Sequence, residues 1–474
     1  MTYVASRQPT IAIVGGGFSG SAAAYHLAAD GAKARILVFE PRGRLGAGLA
    51  YGGADPTHRI NVPAARMSLL PGDETHFTRW LETSGALVGD PDAFSGSDAF
   101  PTRLTFGRYV EYALRPFLSE GRIVHVEDKV ISAAWTGRAW TLDASRGESF
   151  LADLLVIATT HPKPGVPPPL DAFRGDPRLI EDGLADDALD AVKADDRVMI
   201  VGSGLTAVDI VASLDGRGHR GRIALVSRRG LRPRGHPSQA FPVEGDFVSN
   251  PAHSATQLVA NVRRSVRHAI AEGRTWHSVL DGVRAQGDQI WNALDPEARR
   301  RIVRHLRPFW DVHRFRAAPQ IEAVLERKLA NGSLELLRAR FGGADRVEGG
   351  FAVELLDRRR GAAIARRFER VIVATGPAHG DILRAQPYLT ELAEAGLVAL
   401  DQTGLGLKTS RLGRAIGLSG RPEPTLFVAG PLARGTFGEL MGLPQVSNYA
   451  RFIADELLAE LSRAPAAEPA VSVR

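Results

Sequence analysis

The chain has 474 residues, of which 44% are hydrophobic and 24% charged, and it has no cysteine. That is enough for two domains with insertions or for three, and it excludes a disordered chain, disulfides, thiolate metal sites and a cysteine nucleophile. The net charge is +6, and all but six of the 59 basic residues are Arg. This excess reads as an anion or nucleic-acid surface, or as Arg scattered over solvated faces. The second is the simpler reading, because the densest run (Arg299, Arg300, Arg301, Arg304, Arg307, Arg314, Arg316) sits in no nucleic-acid module.

In chain order, Ile11–Val14 is a short β-branched run that predicts a buried strand. It feeds into Gly15-Gly16-Gly17-Phe18-Ser19-Gly20 and an Ala-rich helix predicted over 21–29. Ile36–Phe39 predicts a second strand, ending on Glu40. No apolar run approaches the roughly 18 residues of a membrane span, and the N-terminus lacks the pattern of a signal peptide. A cytoplasmic protein with no membrane partner is expected. Leu155-Val156-Ile157-Ala158-Thr159-Thr160 predicts a strand ending in a small-residue turn.

The opening pattern then returns. Val198–Val201 predicts a strand, Gly202-Ser203-Gly204-Leu205-Thr206-Ala207 a turn, and a helix runs on through Leu214 to a strand at Ile223–Val226. Gly15 to Gly202 is 187 residues, and Ile36 to Ile223 is the same offset. Two copies of one nucleotide-binding unit follow. From Gly235 to Ala330 the pattern is helical, with a capping box at Ser254 and Gln257 and a helix start at Asp295-Pro296 that places Ile302, Val303 and Leu306 on one face. Val371-Ile372-Val373-Ala374-Thr375-Gly376 repeats the strand that ends at Thr160. The tail after Arg463, rich in Ala, Pro and Glu, is expected to be disordered.

The first copy has the full context of a dinucleotide site. Gly15 allows the sharp turn, Gly17 lets a pyrophosphate reach the backbone, and Gly20 lets helix and strand pack closely. Phe18 and Ser19 open the helix, whose N-terminus then faces the phosphates, and Glu40 stands where a carboxylate binds ribose hydroxyls. In the second copy Gly202, Gly204 and Thr206 repeat the turn, but Ser227 takes the place of Glu40 and is followed by Arg228 and Arg229. Ser with two Arg suits a 2′-phosphate, so NADPH is expected there, with NADH possible. The alternative is that the two Arg are surface charge.

The chain resembles the two-dinucleotide-binding-domain flavoproteins. More closely, it resembles a family of FAD/NAD(P)-binding proteins with a GxGxAYG stretch and an NVPxxxMS loop. These stand here as Gly46-Ala47-Gly48-Leu49-Ala50-Tyr51-Gly52 and Asn61-Val62-Pro63-Ala64-Ala65-Arg66-Met67-Ser68. The similarity continues through Phe100–Arg103, Gly107–Tyr109, Ser227–Leu231 with His236, Trp310–Arg314 and Val428–Leu432. The resemblance implies FAD in the first unit and NAD(P)H in the second, with Gly48, Tyr51, Asn61, Thr159, Gly376 and Gly430 added to the cofactor-binding residues. It also implies a flavin monooxygenase that reacts with dioxygen through a peroxyflavin and hydroxylates a small nitrogen-rich metabolite, either a urate-like purine or an amine or amino acid. A flavin reductase or oxidase and a non-catalytic flavin-binding module are the alternatives.

Two positions depart from related patterns. Leu179 stands where an FxGxxxH fingerprint starting at Phe173-Arg174-Gly175 needs His, and Pro431 follows Gly430 where many FAD enzymes carry Asp. Asn61, Arg66 and His236 are the candidate catalytic residues, each with a structural alternative. Trp310–Arg316 reads as interdomain packing or as the lining of a channel for an anionic substrate. No metal site and no nucleic-acid partner are expected, and the oligomeric state stays open. The fold class expected is α/β with two Rossmann-like domains. A discontinuous FAD domain spans about 1–190 and 366–474, and an NAD(P)H domain spans about 191–365 with a helical insertion at about 235–330.

Overall fold

The computed structural model describes residues 8–357 and 361–463, so the Ala-, Pro- and Glu-rich tail lies outside the described residues. Two sheets organise the chain. In the first, the order is Arg414–Ile416, Pro422–Val428, Leu154–Ile157, Thr10–Val14, Arg35–Phe39, Ile123–Val126, parallel except for the first strand. In the second, Leu179–Ile180, Arg370–Val373, Val198–Val201, Ile223–Ser227 and Leu334–Val347 run parallel, and Gly350–Asp357 and Ala363–Phe368 add an antiparallel edge. Central strands read as unbroken apolar runs because helices or loops cover both faces. Thr10–Val14 and Val198–Val201 are buried along their whole length.

The 187-residue repeat is structural. Ile11 pairs with Ile36 and Val198 with Ile223 in the same parallel register. Gly15 N–H donates to Phe39 O at 3.0 Å and Gly202 N–H to Val226 O at 2.9 Å. The second repeat is equally regular, since Ile11 pairs with Leu154 and Val198 with Arg370.

Leu179–Ile180 and Arg370–Val373 both lie in the second sheet, so the chain changes sheet between Ile157 and Leu179 and again after Val373. The connecting segments run side by side, with a bridge between Pro164 and Pro377 and a bond from Ala378 N–H to Lys163 O at 3.2 Å. The first sheet also carries a three-stranded antiparallel layer, Val130–Trp135, Trp140–Ala144 and Ser149–Ala152.

The first helix begins at Phe18, three residues before its expected start, because the glycine turn itself supplies the first helical turn. In the insertion, regular helix starts only at Ala255, where Ser254 Oγ accepts from Gln257 N–H at 3.2 Å. Asp295 Oδ1 caps Pro296–Arg301 through Ala298 N–H at 2.7 Å. Ile302–Leu306 is then a π turn, which rotates the face expected for these residues. Ile302 and Val303 still pack on the core of Phe247, Val279, Ile290 and Trp291, whereas Leu306 does not join it. That core docks onto the segment after the last strand of the first sheet, where Trp291 Nε1–H donates to Gly435 O at 2.8 Å.

Candidate functional site

The C-terminal ends of the two sheets' parallel strands carry the glycine turns. Gly15 has φ +113°, and a Cβ there would lie 2.6 Å from Ala158 O. A Cβ on Gly20 would lie 2.0 Å from Gly15 O, so the helix packs on the turn with no room for a methyl group. Gly17 is different. It caps Phe18–Ala29 with no side-chain hydrogen bond, and its virtual Cβ meets only Gly48 Cα at 3.7 Å. Gly48, at φ +52°, faces it with an equally bare backbone. The helix N-terminus thus opens onto a gap walled by main chain, with N–H groups that no side chain caps.

Around that gap, Ser19 packs on Gly430, where a Cβ would fall 2.3 Å from Ser19 Oγ. Phe18 and Tyr51 meet edge to face at 6.4 Å, and Tyr51 rests on Phe106 at 4.6 Å. Burial pushes the Tyr51 hydroxyl up to about 12, so it stays neutral. Glu40 is buried at the end of its strand, and Oε1 accepts from Arg42 N–H at 3.2 Å and Arg42 Nη1–H at 2.7 Å. Thr159 Oγ1 lies 2.8 Å from the Tyr388 hydroxyl.

The second turn repeats the first. Gly202 has φ +127° and a virtual Cβ 2.1 Å from Ala374 O, and Gly204 caps Leu205–Gly216 with nothing near its Cβ. Thr206 is half-buried in the first turn of that helix, and Gly376, at φ +76°, has open space beside it. Ser227 works inside its own turn, lying 2.8 Å from Ser203 Oγ and accepting from Gly230 N–H at 3.0 Å. Arg228 is exposed. Arg229 lies over the Phe309 ring at 4.9 Å and donates to His305 O at 3.4 Å.

The three catalytic candidates gather where the insertion meets the NVP loop. His236 packs on Phe100 at 5.0 Å, and its Nε2 lies 3.2 Å from Asn61 O, which requires the Nε2–H tautomer. Burial, reinforced by Arg316, lowers His236 to about 4. Arg66 is half-exposed and reaches Asp281 at 3.7 Å, and Asp281 also holds Arg316 at 2.8 Å. Asn61 therefore contributes its carbonyl, His236 is a neutral donor, and Arg66 joins an ion-pair cluster.

Residues 12–162 match the model of a protein family described as FAD-NAD(P)-binding. No curated protein matches the chain in sequence. Among solved structures, the chain is similar to the ornithine hydroxylase of Pseudomonas aeruginosa in its reduced form (TM-score 0.65, 16% identity, 96% of this chain and 99% of that one). It is similar to the ornithine N-hydroxylase of Kutzneria sp. 744 (TM-score 0.64, 19% identity, 96% and 99%). It is similar also to L-lysine 6-monooxygenase from Pseudomonas syringae (TM-score 0.62, 17% identity, 97% and 99%). At these identities the likeness shows a shared fold over nearly the whole chain.

Residues 12–162 fit the group that the matching family's description names, because Gly17 and Gly48 form a cradle that any Cβ would narrow. Two residues of this segment escape the motif reading. Gly16 is needed because a Cβ there would lie 2.5 Å from Glu40 Cβ, and its only signal was its place as the middle of three consecutive glycines. Arg42 holds the Glu40 carboxylate, which motif spacing alone does not reveal. Among the described residues no helix is long and apolar enough to cross a membrane, and no group of three or more acidic or His side chains could hold a metal ion.

Four histidines make stability depend on pH. Burial lowers His26, His161 and His236 to about 4 and His379 to about 3. The unfolded chain binds protons near 6.5, above these folded values. Their stabilising effect is therefore complete above about pH 6.5 and lost as pH falls toward 4. For buried His161 the loss approaches about 3 kcal/mol at most. Chemical denaturation between pH 7.5 and 4.5 should show a steep fall in stability below pH 6.5, and His161→Asn should flatten it. A flat wild-type profile contradicts the assignment.

Proposed function

We propose that the chain is an FAD-dependent NADPH oxidoreductase that hydroxylates the nitrogen of a small amine or amino acid. The observation that carries this reading is the duplicated glycine turn. Gly15–Gly20 and Gly202–Ala207 present two bare helix N-termini at equal register on the strand ends of two sheets. A chain with two dinucleotide sites passes a hydride from one to the other, and bound flavin supplies the oxygen chemistry. Gly17, Ser19, Gly48 and Gly430 hold the first dinucleotide, and Glu40 its ribose. Gly204 and Thr206 face the pyrophosphate of the second, with Arg228 at its 2′-phosphate. Asn61 and His236 shape the pocket floor, and neutral His236 donates a hydrogen bond without taking a proton.

The likeness to ornithine, lysine and cadaverine monooxygenases supports the amine branch. Nothing comparable supports a urate-like purine. The test is a panel of amines, amino acids and urate given to the purified flavin-loaded protein with NADPH in air. An amine should raise NADPH oxidation at least tenfold and gain one oxygen atom by product mass. NADPH oxidation that no substrate accelerates, with peroxide as the only oxygen product, would favour the oxidase reading and overturn this one.

A further inference from the structure

Arg434 follows the last strand of the first sheet, just past Gly430. It is 6% exposed, and its Nε–H is buried with no hydrogen-bond partner among the described residues. A buried charge without a partner costs several kcal/mol, so a fold retains it only where something else repays the cost. Its surroundings do not neutralise it. Arg307 and Arg314 stand beside it against two carboxylates, Asp311 and Glu439, so the three arginines leave a formal excess of one positive charge. Burial lowers Arg434 to about 10 and Arg284 to about 9.

Three N–H donors of this cluster are buried and orphaned. One is Arg434 Nε. The second is Arg314 Nη2, on a side chain 3% exposed whose Nε is held by Glu439 at 2.7 Å. The third is His379 Nδ1. His379 Nε2 accepts from Arg307 Nη2–H at 2.9 Å, and burial keeps the ring neutral, so the proton sits on Nδ1. Asp311 Oδ2 pairs with Arg307 at 3.3 Å, with its Oδ1 left without a partner, and Glu439 pairs with Arg314 at 2.7 Å, so Arg434 is the cation of the three with no ion pair among the described residues. The cluster lies where ligands meet in this fold. His161 follows a first-sheet strand and His379 a second-sheet strand, their rings meet at 4.9 Å, and Arg307, at the start of the helix Arg307–Arg314, reaches His379.

We propose that Arg434, with Arg314 and His379, forms a buried subsite for the carboxylate of an organic acid substrate. The inference rests on the reading that a small amine is oxidised between the two sheets, and it narrows that amine to one carrying an acid group. A guanidinium fork and a neutral imidazole N–H match the two oxygens of a carboxylate, and burial away from water strengthens each bond.

The test is calorimetric titration of the flavin-loaded protein, without turnover, with pentanoate, 5-aminopentanoate and 1,5-diaminopentane. Both carboxylates should bind at least tenfold more tightly than the diamine. Arg434→Met should weaken both carboxylates at least tenfold, keep the flavin, and melt at or above the wild-type temperature, since it removes an uncompensated buried charge. Arg434→Lys should keep part of the affinity, and it carries the test alone if the Met variant does not fold. Carboxylates that bind no better than the diamine, or equally to wild type and variant, overturn the proposal. Loss of flavin in Arg434→Met also overturns it, because the guanidinium then belongs to the cofactor. Carboxylate binding by a protein that oxidises no NADPH with any amine keeps the subsite and removes the monooxygenase reading.

Discussion

Replacing Gly17 with Val should abolish flavin binding and leave the apoprotein folded. At φ −68° and ψ −172° the backbone of Gly17 is extended, a conformation open to any residue. Its Cβ would meet only Gly48 Cα at 3.7 Å, an ordinary contact. The isopropyl group would instead fill the gap into which the bare helix N-terminus points. Losing the pyrophosphate's approach should weaken flavin at least about 100-fold, close to 2.7 kcal/mol. Flavin content and the melting temperatures of apo and loaded protein check this. The two apoproteins should melt together, while the loaded wild type gains about 4 kcal/mol at a thousandfold excess over Kd and the variant gains none. Gly20→Val makes the contrast, because its Cβ would lie 2.0 Å from Gly15 O and the damage should appear in the apoprotein itself. A yellow Gly17→Val protein with full flavin would remove the N-terminal assignment.

What the sequence disclosed was set by backbone geometry. The turns at Gly15 and Gly202 need φ above +110° and a missing Cβ, so only glycine serves and the 187-residue spacing stands out. The parallel strands beside them were legible for a related reason, since burial on both faces leaves a solid apolar run. The sheet boundaries were not. Leu179–Ile180 has two residues, too few for a pattern, and Arg370–Val373 opens on a buried Arg tied to Asp196 at 3.1 Å. The π turn at Ile302–Leu306 was hidden as well, because its residues suit an α-helix equally. Arg434 was the least legible of all. Among so many arginines no local signal separates a solvated side chain from one buried without a partner, and only the packing of three distant segments does so. Within Trp310–Arg316, Trp310 packs on the insertion core, and a Cβ on Gly442 would fall 3.3 Å from Arg314 Nη2.

Removing Arg228 should shift nicotinamide preference toward NADH, and removing Arg229 as well should complete the shift. The repeat places Ser227 where Glu40 sits in the first unit, so the residues after it border the second ribose. Arg228 is exposed and has no ion pair among the described residues. Arg229 is engaged with the face of Phe309 and with His305 O, so reaching a phosphate means giving up a contact worth about 0.5–1 kcal/mol. Each charge-assisted bond to a 2′-phosphate contributes about 1.5–3 kcal/mol, less where water and salt screen it. At about 1.4 kcal/mol per tenfold, Arg228→Ala with Arg229→Ala should lower the NADPH:NADH ratio of kcat/KM by roughly 10- to 1,000-fold. Arg228 should account for the larger part. Salt should mimic the change, narrowing the wild-type preference as ionic strength rises. Adding Glu at position 227 is a poorer test, since Ser227 Oγ accepts from Gly230 N–H and lies against Ser203, and a longer side chain would open that turn. A wild type that already prefers NADH, or a double variant with an unchanged ratio, reduces both arginines to surface charge.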